Sequence, residues 1–169
     1  VEARAAVQAA IEYVGPVYLR FGRAAGPIIN DREDYKFEIG KGELLREGSD
    51  VTIVATGICV SSALEAADKL AADGISAEVI NIHTIKPLDT ELIVKSAKKT
   101  GKVVTAEEHT IIGGLGGAVC EALSEKAPTP VLRIGINDVF GESGTAAALV
   151  AKYGLDGAGI YAKVKEFVK

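Results

Sequence analysis

The sequence contains no methionine and only two cysteines, Cys59 and Cys120, among its 169 residues. Without methionine, Val1 is not expected to be a translation start, and residues 1–14 show no signal-peptide or cleavage pattern. The first residues already run in helical rhythm with no capping residue before them. The chain is therefore expected to be the C-terminal part of something longer. Two cysteines far apart, in no metal-binding pattern, exclude a disulfide scaffold and a thiolate metal cage, and make the cytoplasm the expected location. No stretch approaches the run of about eighteen apolar residues that spans a bilayer, so no membrane partner is expected. Positive charge is short as well: 19 Lys and Arg against 23 Asp and Glu leave a net charge of -4. That is the wrong balance for nucleic acid, which rewards a concentrated cationic face.

What is present is the balance of a globular protein: 48% hydrophobic and 25% charged residues, with room for one domain and a small extra piece. The opening VEARAAVQAAIEYV places Ala3, Val7, Ala10, Ile11 and Val14 on one stripe of a helix, which Gly15 and Pro16 stop. PVYLRFGR, β-branched and aromatic, then predicts a short strand. Residues 24–42 carry Gly26, Pro27, Asn30, Gly40 and Gly42 with no steady period and read as a linker, so a boundary falls there. Residues 1–23 form a leading piece and residues 43–169 the main domain.

From Glu43 onward, strands and helices alternate. Glu43 to Arg46, VTIVATG, AEVINI, KVVTAEE and PVLRIGI predict strands, and the apolar runs suit strands covered on both faces. Between them lie a helix with a capping box at Ser62–Glu65 and a C-cap at Gly74, and a helix capped by Asp89 and ended by Gly101. A further helix is led by Gly113–Gly117, and two short ones lie near Thr145–Tyr153 and Ala158–Val168. Repeated strand–helix–strand units imply right-handed crossovers, hence an α/β fold: a three-layer, open, mostly parallel sheet with helices on both faces.

Few residues stand out as chemistry. The cluster Gly113-Gly114-Leu115-Gly116-Gly117 before a helix offers backbone donors to an anion, yet it completes neither the dinucleotide nor the P-loop pattern. Close packing of that helix on the sheet is the alternative. His83 and His109 follow strands and titrate near neutrality, but neither has a nucleophile or a metal-spaced partner near it in sequence. His109 remains a candidate because sites gather at strand carboxyl ends in open sheets. Arg20 and Arg23 present guanidinium forks suited to a phosphate or a carboxylate. Asp31, Glu33 and Asp34 stand close enough in sequence to pair with them instead, and the residues alone leave both readings open.

The string HTIKPLDTELIVKSAKKTGKVVTAEEHTIIGGLGGAVCEAL resembles the C-terminal domain of transketolase. In that family TIKPLD, an acidic pair plus His at a strand end, and a GG-x-G helix start occur in this order. GPVYLRFGR resembles the last strand of the family's pyrimidine-binding domain, and IGINDVFGESGTAAALVAKYGL its closing segment, so the likeness runs through nearly the whole chain. It implies that residues 1–23 are a helix–strand remnant of the pyrimidine-binding domain and that residues 43–169 are the C-terminal domain.

The resemblance also implies an enzyme that moves a two-carbon ketol unit between sugar phosphates, with thiamine diphosphate supplying the electron sink. Cofactor and Mg²⁺ belong to an N-terminal half or subunit carrying a GDG motif, which this sequence lacks, as it lacks the cofactor-activating glutamate. The chain alone is thus expected to hold no cofactor or metal and to catalyse nothing, serving instead within a homodimeric or heterotetrameric assembly. Arg23 aligns with the family arginine that grips the substrate phosphate. Arg20 better matches the pattern of 1-deoxyxylulose-5-phosphate synthase, where two arginines flank the turn. That synthase and the β-subunits of 2-oxo-acid dehydrogenases are the near alternatives, although the synthase is expected to have Asn in place of His109 and a Tyr-Pro-Arg-Gly-like turn. From other classes, the alternatives are a non-catalytic interaction module and an anion-binding domain built on the glycine-led helix.

Overall fold

The computed structural model describes residues 1–23 and 25–169. Its centre is a five-stranded sheet in the order β1-β3-β2-β4-β5, formed by Glu43–Arg46, Val51–Ala55, Ala77–Asn81, Val103–Thr110 and Val131–Ile136. The four strands from β2 on run parallel, and β1 lies antiparallel on the β3 edge with an irregularity between Leu44 and Arg46. The expected three-layer arrangement is therefore present.

Every residue of β2 and β3 is buried, as expected of mainly apolar strands covered from both sides, and the burial includes the polar Thr52, Glu78 and Asn81. One face is closed by α2 (Cys59–Ala72) and α6 (Gly157–Val168), around Ile53, Leu70, Val79 and Ile160. The other is closed by α3 (Thr90–Thr100) and α4 (Leu115–Lys126), around Val54, Ile80, Ile93 and Leu123. Each such buried side chain contributes about 1.5–3 kcal/mol. A short α5 (Ala146–Lys152) starts at Thr145, whose hydroxyl accepts the Ala148 N–H.

Several helix ends follow the expected chemistry. The Asp89 carboxylate accepts the Leu92 N–H at 3.1 Å and also the Gly42 N–H at 2.9 Å, so one side chain both caps α3 and holds the approach to β1. Gly74, at φ +80°, lets its own N–H and that of Ile75 reach back to the carbonyls of Ala71 and Leu70, satisfying two orphan acceptors at the end of α2. The Lys86–Pro87 peptide is cis.

Three expectations fail, each for an identifiable reason. PVYLRFGR forms no strand: residues 16–23 pair with neither edge of the sheet, and high β-propensity cannot stand in for a hydrogen-bonded neighbour. The opening helix is present as α1 (Glu2–Glu12), but its apolar stripe faces outward. Ala6 is its buried residue, while Val7, Ile11 and, just beyond the helix, Val14 are exposed, the last at 97%. Small alanines allow close contact with the body, so the face that docks is the small one rather than the most hydrophobic one. The capping box at Ser62–Glu65 is also absent, because α2 begins earlier, at Cys59, leaving Ser62 inside the helix. Residues 25–42 form neither helix nor strand.

Candidate functional site

The carboxyl ends of the parallel strands gather most of the singled-out residues. The last fully buried residue of β4 is Glu107, 1% exposed. Its carboxylate accepts the N–H of Leu115 and the N–H of Gly116, both at 2.8 Å, at the start of α4. The positive end of that helix is thus already occupied by an anion belonging to the chain itself. The glycines allow this closeness. A Cβ on Gly114 would lie 2.1 Å from Glu107 Oε2, and one on Gly116 would lie 3.0 Å from both Thr105 Oγ1 and the stem of Arg133. Gly114 and Gly116 therefore serve close packing, the alternative set beside the anion cradle, and the Glu107 carboxylate already holds the backbone donors of Leu115 and Gly116.

His109 lies two residues beyond Glu107, inside β4, and is exposed. Its Nδ1 stands 2.9 Å from the Thr110 carbonyl, and among the described residues no carboxylate or nucleophile within hydrogen-bond reach turns it into a proton relay. His83, just past β3, is stacked on Phe37 with ring centroids 4.1 Å apart, and Nδ1 meets the Thr84 hydroxyl at 2.8 Å. Burial pushes its pKa down, against the pull of the Glu2 and Glu43 carboxylates. The two histidines do not form one site.

Arg20 and Arg23 are both exposed, on the irregular stretch after α1. Neither makes an ion pair among the described residues. Asp34 is instead taken by Arg32 at 3.2 Å, and Arg32 also binds Glu43. Around the two arginines stand exposed apolar groups, including Val17, Tyr18 at 87% and Phe21 at 54%. This is a surface with free guanidinium forks and aromatic neighbours. In open water a single guanidinium–anion contact contributes little, about 0–1 kcal/mol, so a second surface is needed to make such a fork selective.

Beside β1 and β3 lies a buried polar cluster that the sequence reading missed. Glu2 Oε2 accepts hydrogen bonds from Asn81 Nδ2 at 2.5 Å, Asn30 Nδ2 at 3.2 Å and the Tyr35 hydroxyl at 3.4 Å. Asn81 and Asn30 are at most 1% exposed, and their Oδ1 atoms have no partner among the described residues. Tyr35 has its pKa pushed up to about 12, first by burial and then by the charges of Glu2 and Glu43. One signal was available: Asn81 interrupts the apolar run AEVINI, and a buried amide demands partners. Which partners it finds, residues 2, 30 and 35, no local pattern reveals.

Two open hollows lie elsewhere. One, of about 310 Å³, is lined by residues including Cys120, Leu123 and Pro128; the other, of about 270 Å³, by residues including Arg46, Gly74 and Ser76. Neither includes Arg20, Arg23 or His109. No helix among the described residues is long and apolar enough to cross a membrane.

The family described as "Transketolase, C-terminal domain" matches residues 40–160. The chain belongs to the transketolase family. A 6-deoxy-6-sulfo-D-fructose transketolase subunit of Clostridium sp. (strain MSTE9) is 52% identical over 90% of this chain and 47% of its own length. A putative transketolase C-terminal section of Methanocaldococcus jannaschii is 51% identical over 94% of this chain and 50% of its own length. Among solved structures, a split-gene transketolase described as an inactive β4 tetramer is 54% identical, with a TM-score of 0.92 over 96% of this chain and 53% of that one. The chain thus spans about half the length of these two curated relatives.

Within a transketolase domain, the packed glycine cluster has a further consequence. Thiamine diphosphate does not fit at the start of α4, where its diphosphate would face the buried Glu107 carboxylate that already holds both backbone donors. Among the described residues no cluster of three or more His, Cys, Asp or Glu is placed to hold a metal ion.

Proposed function

We propose that this chain is the C-terminal part of a transketolase, an enzyme that transfers a two-carbon ketol unit between sugar phosphates. Thiamine diphosphate and Mg²⁺ belong to an N-terminal half or subunit, and this chain alone is inactive. Its own contribution is an assembly surface and part of the substrate's anion site, with Arg23 gripping the phosphate and Arg20 beside it. The observation that carries this reading is the exposed pair Arg20 and Arg23, free of ion pairs among the described residues, on a stretch whose neighbouring aromatic and aliphatic groups also face outward. A docked partner would cover those apolar groups, lower the local dielectric, and turn an exposed fork into a selective one. The relatives named as a subunit and a C-terminal section are in keeping with a two-part enzyme. The sulfo-sugar of the first relative's name and the phosphorylated sugars proposed here share a terminal tetrahedral oxyanion, which a guanidinium fork accepts in either form.

The test is reconstitution with the N-terminal partner, thiamine diphosphate, Mg²⁺, xylulose 5-phosphate and ribose 5-phosphate. Sedoheptulose 7-phosphate is the expected product. Formation of 1-deoxyxylulose 5-phosphate instead transfers the chain to the synthase branch, and no product from two intact halves leaves the non-catalytic interaction module standing. In the active assembly, Arg23→Ala should raise KM for phosphorylated sugars about tenfold or more, the loss expected for a charged hydrogen bond. An unchanged KM removes Arg23 from the site.

A further inference from the structure

Residues 30–42 join the leading piece to β1 without forming helix or strand, so their order comes from what they rest on. Tyr35, Phe37 and Ile39 turn inward while Lys36 and Glu38 face solvent, the alternation of an extended segment laid on a surface. That surface is the segment after β3. The Phe37 ring stacks on His83 with centroids 4.1 Å apart. A Cβ on Gly40 would lie 3.0 Å from Pro87 Cγ, and one on Gly42 would lie 2.5 Å from Ile82 Cδ1. The Gly42 N–H then donates to Asp89 at 2.9 Å. Close backbone approach fixes the end of the stretch, whereas its middle rests on an imidazole.

The imidazole is the side chain here whose ordinary pKa, about 6.5, lies near neutrality. It is half-buried, and its Nδ1 meets the Thr84 hydroxyl at 2.8 Å. Two carboxylates act on it, Glu2 of α1 and Glu43 of β1, and both favour the imidazolium. Each has partners of its own: Arg32 for Glu43, and Asn30, Asn81 and the Tyr35 hydroxyl for Glu2. The Asp89 carboxylate accepts the N–H groups of Gly42 and Leu92, and Lys36, Glu38, Lys41 and Lys86 are exposed. Burial outweighs the two carboxylates and holds His83 below its ordinary pKa. The packed stretch thus prefers a neutral ring, and opening returns that ring to water. Packing is therefore fully supported above about pH 6.5 and weakens as pH falls toward the lower, packed-state value.

We propose that residues 30–42 form a strap that mild acid releases, with the neutral His83 ring as the group that holds Phe37 in place. Release loosens the join between the leading piece and the domain, while the sheet keeps its order.

The experiment measures backbone hydrogen exchange in the assembled protein at pH 7.5 and 5.5, corrected for the intrinsic pH dependence of exchange. An opened strap takes up its proton with a pKa of about 6.5, so one pH unit below that value opening gains up to about tenfold. Amides of residues 35–41 should show that gain, and those of β2 should show none. His83→Gln should abolish the pH dependence, whereas His109→Gln, at the other histidine of the chain, should keep it. An NMR titration of the parent protein supplies a measurement that needs no variant: His83 should titrate below about 6.5. Equal exchange in residues 35–41 at the two pH values overturns the strap. So does an equal gain in β2, which makes the loosening global. A pH dependence that survives in His83→Gln passes the effect to the carboxylates and overturns the role of His83. Titration of His83 at or above about 6.5 overturns it as well.

Discussion

Removing the Glu107 carboxylate is the sharpest probe of the reasoning about the glycine-led helix. In Glu107→Ala the N–H groups of Leu115 and Gly116, now satisfied at 2.8 Å, lose their acceptor in a region closed to water. Hydrogen bonds to a charged group contribute about 1.5–3 kcal/mol each, and their loss is not additive. A negative charge at a partly buried helix start adds up to about 2 kcal/mol. A total of about 3–5 kcal/mol is therefore expected, and at about 2–4 °C per kcal/mol for a chain of this size, Tm should fall by about 6–20 °C. Glu107→Gln keeps the shape and one acceptor but turns an NH₂ toward the second donor, so about half that loss is expected. Thermal unfolding followed by far-UV circular dichroism measures both. A fall in Tm of under about 3 °C would refute the claim that Glu107 satisfies the start of α4.

Two glycines should respond in opposite directions. Gly48→Ala places a Cβ 2.1 Å from the Glu78 backbone nitrogen, where only backbone movement makes room, and should cost at least about 2 kcal/mol in denaturant unfolding. Gly117→Ala, inside α4 with no atom within 4 Å of the new carbon, should stabilise by up to about 1 kcal/mol. The cysteines should separate by reactivity: burial pushes the Cys59 thiol up to about 12, so at neutral pH it stays protonated. A thiol titration of the native protein at pH 7–8 should label the partly exposed Cys120 first, and Cys59 only on unfolding. Rapid labelling of both would contradict the burial.

Much of the α/β domain was legible because its signals are local or periodic. Continuous apolar runs such as VTIVA belong to strands covered on both sides, and Asp89, Gly74 and Gly101 end or begin helices through bonds to residues a few positions away. The same local logic misled at Ser62, where a capping pattern lay inside a helix that had already begun at Cys59. It misled again at residues 16–23, since a strand is a relation between two segments and high propensity in one does not create the other. Among the candidates, the guanidinium forks of Arg20 and Arg23 could be named from the chain, but whether they were free or paired could not. Asp34 was an equally good partner until the fold gave it to Arg32.

Composition, periodicity and helix-end chemistry were thus enough to settle the layers of this domain, because each depends on residues within a turn or two of one another. Only three-dimensional packing could decide that Glu107 fills the start of α4, that α1 docks by its alanines rather than by Val7 and Ile11, and that residues 2, 30 and 81 share one carboxylate oxygen. Those outcomes hang on distances between groups far apart in the chain, and a pairwise energy of that kind leaves no periodic trace in the order of the residues.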